Sequence, residues 1–544
     1  MLTIDTMQVD HIVARFPGTR VEENGPWPTL VATPEEYRAL ALFLRDDDRT
    51  RFDFLACMTG VDRGGEELGV VLLLESTTLG HRVFVETSTR ERERPVLPTV
   101  SDLWETANLN EREVYDYFGI RFAGHPDTRR LFLRNDWKGY PLRKDYDASE
   151  AVNPVPLESE ESPDVTFSCR EDGGEEPRAL FDDGEYVVNI GPQHPATHGV
   201  LRFRVALEGE IVKKVDVHCG YIHRGIEKMC ESLSYRQMLP LADRLDYLAA
   251  HQHRHALCLC IEEALQVEVT ERVKYIRTIM DELNRLSSHL LFWSTLCMDL
   301  GALTAFFYGF RDREKVLDIM EETTGGRLIQ HYNVIGGVSA DIHLNLTRRI
   351  KEFIKYLPPM LKEYDQVFTG NVIARQRMEG IGVLSREDAI SFGVTGPSGR
   401  ASGWACDVRK RKPYGVYDKV EFDEIVYTEG DSYRRYLVRV KEIVESLRIL
   451  EQLVDNIPAG DFAVKTKPVI KLPEGRYFKS VEGSRGEFGV YIESRGEKTP
   501  YRLKFRSTSF PLVSVVPRLA RGSKIADLIA IGGTLDYIVP DVDR

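Results

Sequence analysis

Residues 147–186 read DASEAVNPVPLESEESPDVTFSCREDGGEEPRALFDDGEY, and this stretch divides the chain of 544 residues in two. It holds 13 acidic residues against two basic ones, Arg170 and Arg178, a net of −11. The whole chain carries −13, so only −2 remains for everything else. Acidity concentrated in a run with scattered Pro, Ser and Gly is the composition of a solvated, self-repelling tether. An acidic strap docked across a partner is the alternative. The expected domains are therefore 1–146 and 186–544, joined by a linker at 147–185.

The flanking parts have ordinary globular composition, with 42% hydrophobic and 29% charged residues in the chain as a whole, which excludes a disordered protein. The negative balance excludes the basic footprint of a nucleic-acid binder. No apolar run reaches the roughly 20 residues that span a bilayer. The nearest, Ser294 to Phe310, is interrupted by Asp299. The opening MLTIDTMQVDHIVARF lacks a basic region followed by an apolar stretch, so no secretory signal is read there. A cytoplasmic location with only peripheral membrane contact is expected. The eight cysteines include no C-x-x-C pair, and in that compartment they read as reduced thiols filling cores, with no cluster or zinc site of their own.

Residues 1–146 mix helix-like and strand-like segments. Thr33 is a good N-cap and Pro34 suits a first helical position, so Pro34–Leu44 reads as a helix. Val70–Leu74 and His81–Glu86 read as strands around the turn-rich 77–80. Beyond the linker, Tyr186–Ile190 and Leu201–Leu207 are strand-like. Helices then dominate. Val273, Ile276, Ile279, Leu283, Leu286, Leu290 and Trp293 recur at intervals of three and four, and a second such stripe runs from Val440 to Val454, as in a helix bundle. From about residue 470 the alternation becomes β-like. The fold class is α+β: a small α/β domain, an acidic linker, and a mainly helical domain whose two ends are β-rich.

Three places carry chemistry. Gly191-Pro192-Gln193-His194-Pro195-Ala196-Thr197-His198-Gly199 displays His194 and His198 on a loop, where an imidazole can donate a proton near neutral pH. A merely polar turn is an equal reading. Asp243, Tyr247, His251 and His255 recur every four residues on an expected helix Leu241–Leu265, which makes one polar stripe, solvated or salt-bridged, rather than a metal site. Tyr247 could hydrogen-bond a carbonyl ligand. From spacing alone, a core tyrosine bonded to backbone is the stronger reading. Asp299 lies in an apolar stretch and must find a partner or become neutral. A histidine would make it a proton relay; a helix-end cap or an ion pair with Arg311 or Arg313 would not. The Gly-rich Ser398–Gly403 lacks the spacing of a dinucleotide loop, and no P-loop or G-x-S-x-G is present.

GPQHPATHG, GYIHRGIEK (Gly220–Lys228), DRLDYL (Asp243–Leu248), DELNRLSSHL (Asp281–Leu290), DLGALTAFFYGFRDRE (Asp299–Glu314), IGGV (Ile335–Val338), RASG (Arg400–Gly403), SRGEFG (Ser484–Gly489) and DVDR (Asp541–Arg544) together resemble the D subunit of respiratory complex I, in order, over about 360 residues. Glu111–Ile120, Phe122–Asp127, Arg129–Leu131 and Pro141–Tyr146 separately resemble its C subunit. The chain is thus similar to the fused C–D subunits of some bacterial NADH:quinone oxidoreductases, and the D-like part to the large subunit of nickel–iron hydrogenases. The hydrogenase metal sits on two C-x-x-C pairs. GYIHRGIEK and DVDR stand at those places without a cysteine pair, so hydrogenase activity is not expected.

The resemblance implies a peripheral-arm enzyme subunit that walls a quinone pocket, with His198 and Tyr247 as proton donors and Asp299 as partner of the histidine. His194, Arg244 and His331 are implied near the quinone or the neighbouring cluster. It implies menaquinone or ubiquinone as substrate, no covalent cofactor, and an iron–sulfur cluster held by the B subunit. The implied partners are the B, I and H subunits and others of the two arms, with membrane contact through them on the cytoplasmic side of the inner membrane. The alternative is the same role in a complex fed by ferredoxin or another donor. The family commonly has a histidine beside the cluster shortly after Gly-x-Arg. Here Gly326-Arg327-Leu328-Ile329-Gln330-His331 puts Ile329 there, which is expected to lower the cluster's potential and suit menaquinone; a redox titration checks this.

Overall fold

The structure is a computed structural model and describes residues 2–3, 6–147, 164–182 and 184–544. Part of the acidic stretch, 148–163 and 183, lies outside the described residues.

The first part is built on one mixed sheet in the order Arg20–Glu22, Thr29–Ala32, His81–Thr89, Glu67–Glu75, Phe54–Gly64, with Leu2–Thr3 also paired to His81–Thr89. The central strands are almost wholly buried because both faces are covered. The helix Pro34–Asp46 begins as expected: Thr33 accepts the Glu36 amide and Pro34 occupies the first turn. The second part opens with the antiparallel ribbon Tyr186–Ile190, Arg202–Glu208 and Ile211–His218. A helical body follows, centred on the 29-residue helix Glu271–Asp299, which packs on Leu303–Thr324 and Ser432–Leu453. A second antiparallel sheet is formed by Gly475–Gly483, Gly486–Ser494 and Arg502–Arg506.

Three expectations are corrected. The second half of the expected linker contains an antiparallel hairpin, Val165–Cys169 with Glu175–Ala179. It is pinned to the first part where the Thr128 amide donates to the Phe167 carbonyl (2.7 Å), and to the second where Lys214 donates to the Leu180 carbonyl (2.6 Å). The β-like tail ends at Arg506, and helices such as Ser509–Ser514 and Ile525–Leu535 follow. The expected helix Leu241–Leu265 starts only at Ala250. Asp246 uses its side chain to accept the amides of Leu248 and Ala249 (3.0 and 3.2 Å), a local bond that competes with helix and turns the chain. Asp243 and Tyr247 are therefore not on the stripe. His251 and His255 remain one turn apart, buried, both bonded through Nδ1 to Asp281 at 2.7 Å.

The two parts share a seam of buried charge. Glu75 receives Arg82, Arg411 (2.6 Å) and Lys412 (2.7 Å); Arg82 also meets Glu487 (3.2 Å). Arg63 joins Glu86 to Glu493, and Lys504 and Arg544 both donate to Glu113. Seven of the eight cysteines are buried free thiols and Cys219 is half-buried.

In the first part Glu111 is fully buried, accepting Thr99 Oγ1 (2.5 Å) and the Val100 amide (2.8 Å). Burial outweighs these bonds and pushes its carboxyl up to about 8. A carboxyl raised in the fold contributes stability that is complete below its unfolded value and is lost progressively as pH rises to about 8. Wild-type stability should therefore fall between pH 6 and pH 9 by about 2–3 kcal/mol more than that of Glu111→Gln. Thermal melting of both chains across this range checks it, and parallel pH dependence of the two curves would contradict it.

Candidate functional site

The strand Tyr186–Ile190 pairs with Arg202–Glu208, and the residues between them form the loop that carries both loop histidines. Pro195–Thr197 makes one 3-10 turn, which His194 caps by accepting the Ala196 amide on Nδ1 (3.1 Å). His194 is thereby spent on the turn, with its ring exposed. His198 closes the turn in the left-handed region (φ 50°). Such a conformation costs about 1 kcal/mol or more in a non-glycine residue and is kept only where surroundings impose it. Gly199 lets the C-terminal segment approach: a Cβ there would stand 2.6 Å from Val539.

That fold of the loop brings His198 Nε2 to 2.6 Å from Asp299 Oδ2. Asp299 is the last residue of the long helix, where the helix dipole is already negative, so a cation is favoured beside it. Burial disfavours the charged imidazole, but the bond to Asp299 and its charge, with Asp536 behind, outweigh this and raise His198 above its ordinary value. Of the partners open to Asp299, the histidine is the one it meets, and Arg311, the alternative, is taken by Asp312 and Glu363. Over Asp299 lies the helix Ile525–Leu535, admitted by Gly533, whose Cβ would come 3.2 Å from Oδ2.

Tyr247 sits in the turn between Ala242 and Ala250, 37% exposed. Its hydroxyl makes no hydrogen bond to a described residue. Burial of part of the ring, then the Asp246 charge, raises its pKa, so the phenol is a proton donor at physiological pH. Tyr247 and His198 share two electrostatic neighbours, Arg485 and Asp536. Arg485 donates to Asp246 Oδ2 (2.9 Å) and to Asp536 Oδ1 (3.2 Å).

Arg244, in the same turn, is exposed, and its guanidinium donates to the Pro240 carbonyl (2.9 Å). His331, also left-handed (φ 51°), is 42% exposed in its side chain, with Nδ1 2.6 Å from Asp243 Oδ2. The same Asp243 oxygen accepts Arg254 (2.8 Å). The site thus assembles His198, Asp299 and, through shared neighbours, Tyr247, whereas Arg244 and His331 belong to the turn around Asp243. Arg485 lies in the SRGEFG motif but is given no role by it, and Asp536 and the buried Tyr537, which feels the Asp299 charge, lie outside the motifs. Asp536 nonetheless has a legible signal: it is a carboxylate at the end of the apolar run Leu528–Leu535, comparable to the setting of Asp299.

GYIHRGIEK and DVDR do meet. Asp543 accepts the amides of Gly220 (2.8 Å) and Ile222 (3.0 Å), and His223 Nδ1 donates to the Asp543 carbonyl (2.6 Å). A carboxylate and backbone amides, not thiolates, fill this place. Burial raises the Asp543 carboxyl to about 6.

Comparison with known proteins bears on this arrangement. The family model described as "Respiratory-chain NADH dehydrogenase, 30 Kd subunit" matches residues 30–152, and that described as "Respiratory-chain NADH dehydrogenase, 49 Kd subunit" matches 299–470 and 464–544. The C/D subunit of the NADH-quinone oxidoreductase of Phocaeicola vulgatus is 67% identical over 496 residues, covering 90% of this chain and 95% of the relative. That of Bacteroides fragilis is 64% identical over 515 residues (92% and 97%). The D subunit of the NADH-quinone oxidoreductase of Bacillus mycoides is 43% identical over 360 residues, 66% of this chain but 98% of the relative. The chain therefore belongs to the fused C/D family of NADH-quinone oxidoreductase subunits, components of the peripheral arm of respiratory complex I.

Proposed function

We propose that the second part of the chain walls the quinone-reduction site, beside an iron–sulfur cluster held by the B subunit. Reduction of a quinone to a quinol takes two electrons and two protons. The electrons come from that neighbouring cluster. His198, as imidazolium, gives a proton to one carbonyl oxygen, and the Tyr247 hydroxyl gives one to the other. Asp299 keeps the imidazole charged before transfer and stabilises its orientation. The observation that carries this reading is the 2.6 Å contact between a strained loop histidine and a buried carboxylate at a helix end. Such strain and such a pair gather at functional sites.

Arg244, exposed next to the Tyr247 turn, and His331, on the Asp243 side, are assigned to the face towards the cluster, with Ile329 in the position that leaves the cluster without a histidine donor. His194 is assigned to the rim of the quinone entrance. The subunits expected against these faces are B, I and H, and membrane contact passes through them at the cytoplasmic surface. No helix of the described residues is long and apolar enough to cross a membrane. The relatives named as NADH-quinone oxidoreductase subunits favour NADH over ferredoxin as donor.

The test is Asp299→Asn in the assembled complex. Removing the carboxylate lowers the His198 pKa, so less imidazolium is present at neutral pH. Quinone turnover should fall about tenfold, and its alkaline limb should move to lower pH, with NADH:ferricyanide activity unchanged. An unshifted pH profile with wild-type turnover would refute the assignment.

A further inference from the structure

We propose that Arg485 is a positioning residue for quinone reduction: its buried guanidinium ties the turn bearing Tyr247 to the C-terminal segment that walls the His198–Asp299 pair, and so fixes the two proton donors relative to each other. The inference rests on the quinone-site reading above and adds to it a residue that touches neither the quinone nor the cluster.

The geometry is that of a bracket. Ser484 and Arg485 form the two-residue tip between strands closed by the Gly483–Gly486 pair. This tip is anchored to the helical body, because the Ser484 amide and hydroxyl both donate to Gln252 Oε1 (3.0 Å each). From it the Arg485 side chain, fully buried, reaches in two directions. Nη1 donates to Asp246 Oδ2 (2.9 Å) and to Ser288 Oγ (3.1 Å). Nη2 donates to Asp536 Oδ1 (3.2 Å).

Each carboxylate holds one half of the site. The other oxygen of Asp246 accepts the Leu248 and Ala249 amides, so the guanidinium grips the turn from which Tyr247 projects. Asp536 stands in the left-handed region (φ 63°) directly before Tyr537, and Val539 of the same segment packs against Gly199 beside His198. Arg439 also holds that segment, donating to the Thr534 and Leu535 carbonyls (2.9 and 3.0 Å) and lying 3.5 Å from Asp536 Oδ2. A planar fork that pairs with two carboxylates in set directions suits this task, which a point charge does not. Stability alone is a weak reason for such a buried pair, since apolar packing of equal volume commonly serves as well.

The electrostatics agree. The groups acting on His198 are Asp299 at the helix end, Asp536, and Arg485 from the hairpin; those acting on Tyr247 are Asp246, Arg485 and Asp536. In both, Arg485 favours the deprotonated form and Asp536 opposes it.

The experiment uses the whole complex in membranes with Arg485→Gln and, separately, Asp246→Asn, which keeps an oxygen for the Leu248 and Ala249 amides. Quinone turnover is measured across pH, and NADH:ferricyanide activity reports assembly. Arg485→Gln removes a cation near His198 and should move the alkaline limb of quinone reduction up by about one pH unit. Asp246→Asn leaves Arg485 less compensated and should move it down. In both, turnover at the optimum should fall roughly 10- to 100-fold through lost alignment, more than KM changes. An unshifted limb with wild-type turnover in either assembled variant overturns the proposal. If Arg485→Gln fails to assemble, the signed shift in Asp246→Asn decides it. Tyr247→Phe is run beside them: if it keeps wild-type turnover, the quinone-site reading has failed and this proposal with it; if it loses turnover while both other variants keep theirs, only the positioning role is wrong.

Discussion

Tyr247→Phe in the assembled complex is expected to lower NADH:quinone turnover roughly 100-fold while leaving NADH:ferricyanide turnover intact. The substitution removes one oxygen from a half-buried side chain, and that hydroxyl holds no described residue in place. Folding therefore loses little. The turn is fixed by Asp246, Asn284 and Arg485, none of which bonds the phenol oxygen; Asn284 donates to the Leu248 carbonyl at 3.0 Å. What disappears is a proton donor whose pKa lies above its ordinary value through burial and the Asp246 charge, and which is thus protonated at every working pH. Ferricyanide takes electrons upstream of the quinone and separates chemistry from assembly. Equal loss of both activities would mean that Tyr247 is structural.

Arg400→Met should have the opposite signature, with both activities vanishing together because the complex does not assemble. Arg400 is fully buried, with Nη2 2.6 Å from Glu442 and Nη1 2.7 Å from Glu482, and with Asp407 at 3.9 Å. Burial already lifts the Glu482 carboxyl to about 7 with the guanidinium in place. Without it, Glu442 keeps only the His289 imidazole (2.9 Å), whose charged form burial disfavours, as a close side-chain partner among the described residues. Leaving buried carboxylates uncompensated costs about 3–5 kcal/mol, a large share of the stability of any domain. Arg400→Lys should restore little, because one ammonium cannot make both sets of bonds. Normal levels of the Met variant in purified complex would show that the cluster is dispensable.

Much of the fold is legible where local signals are self-sufficient. Thr33 and Pro34 mark a helix start by capping chemistry, and the two long helices show as apolar stripes at intervals of three and four, although Ile276 to Leu290 is buried on every side. Legibility ends where a side chain competes with the backbone or where burial erases periodicity. Four polar residues at intervals of four suggest a single helix through Tyr247, but the Asp246 side chain diverts the chain there. The segment Ile525–Leu535 is apolar nearly all round, so it has no stripe to betray a helix. The hairpin at 165–179 is hidden by the acidic composition around it. At the site, His198 and Asp299 stand out as single unusual residues. Arg485 does not, because its meaning lies in partners 239 and 51 residues away.

The charged seam also sets a schedule. Glu113 is completed by Lys504 and Arg544, which follow it by 391 and 431 residues. At roughly 5–20 residues per second, a ribosome delivers the second of these about 20–90 s after Glu113 itself. During that interval Glu113 lacks both of the cations that complete it. A fused chain ends the wait without a search, because the missing half arrives on the same thread. A separately made partner would have to be found by diffusion, in competition with every other cation in the cell.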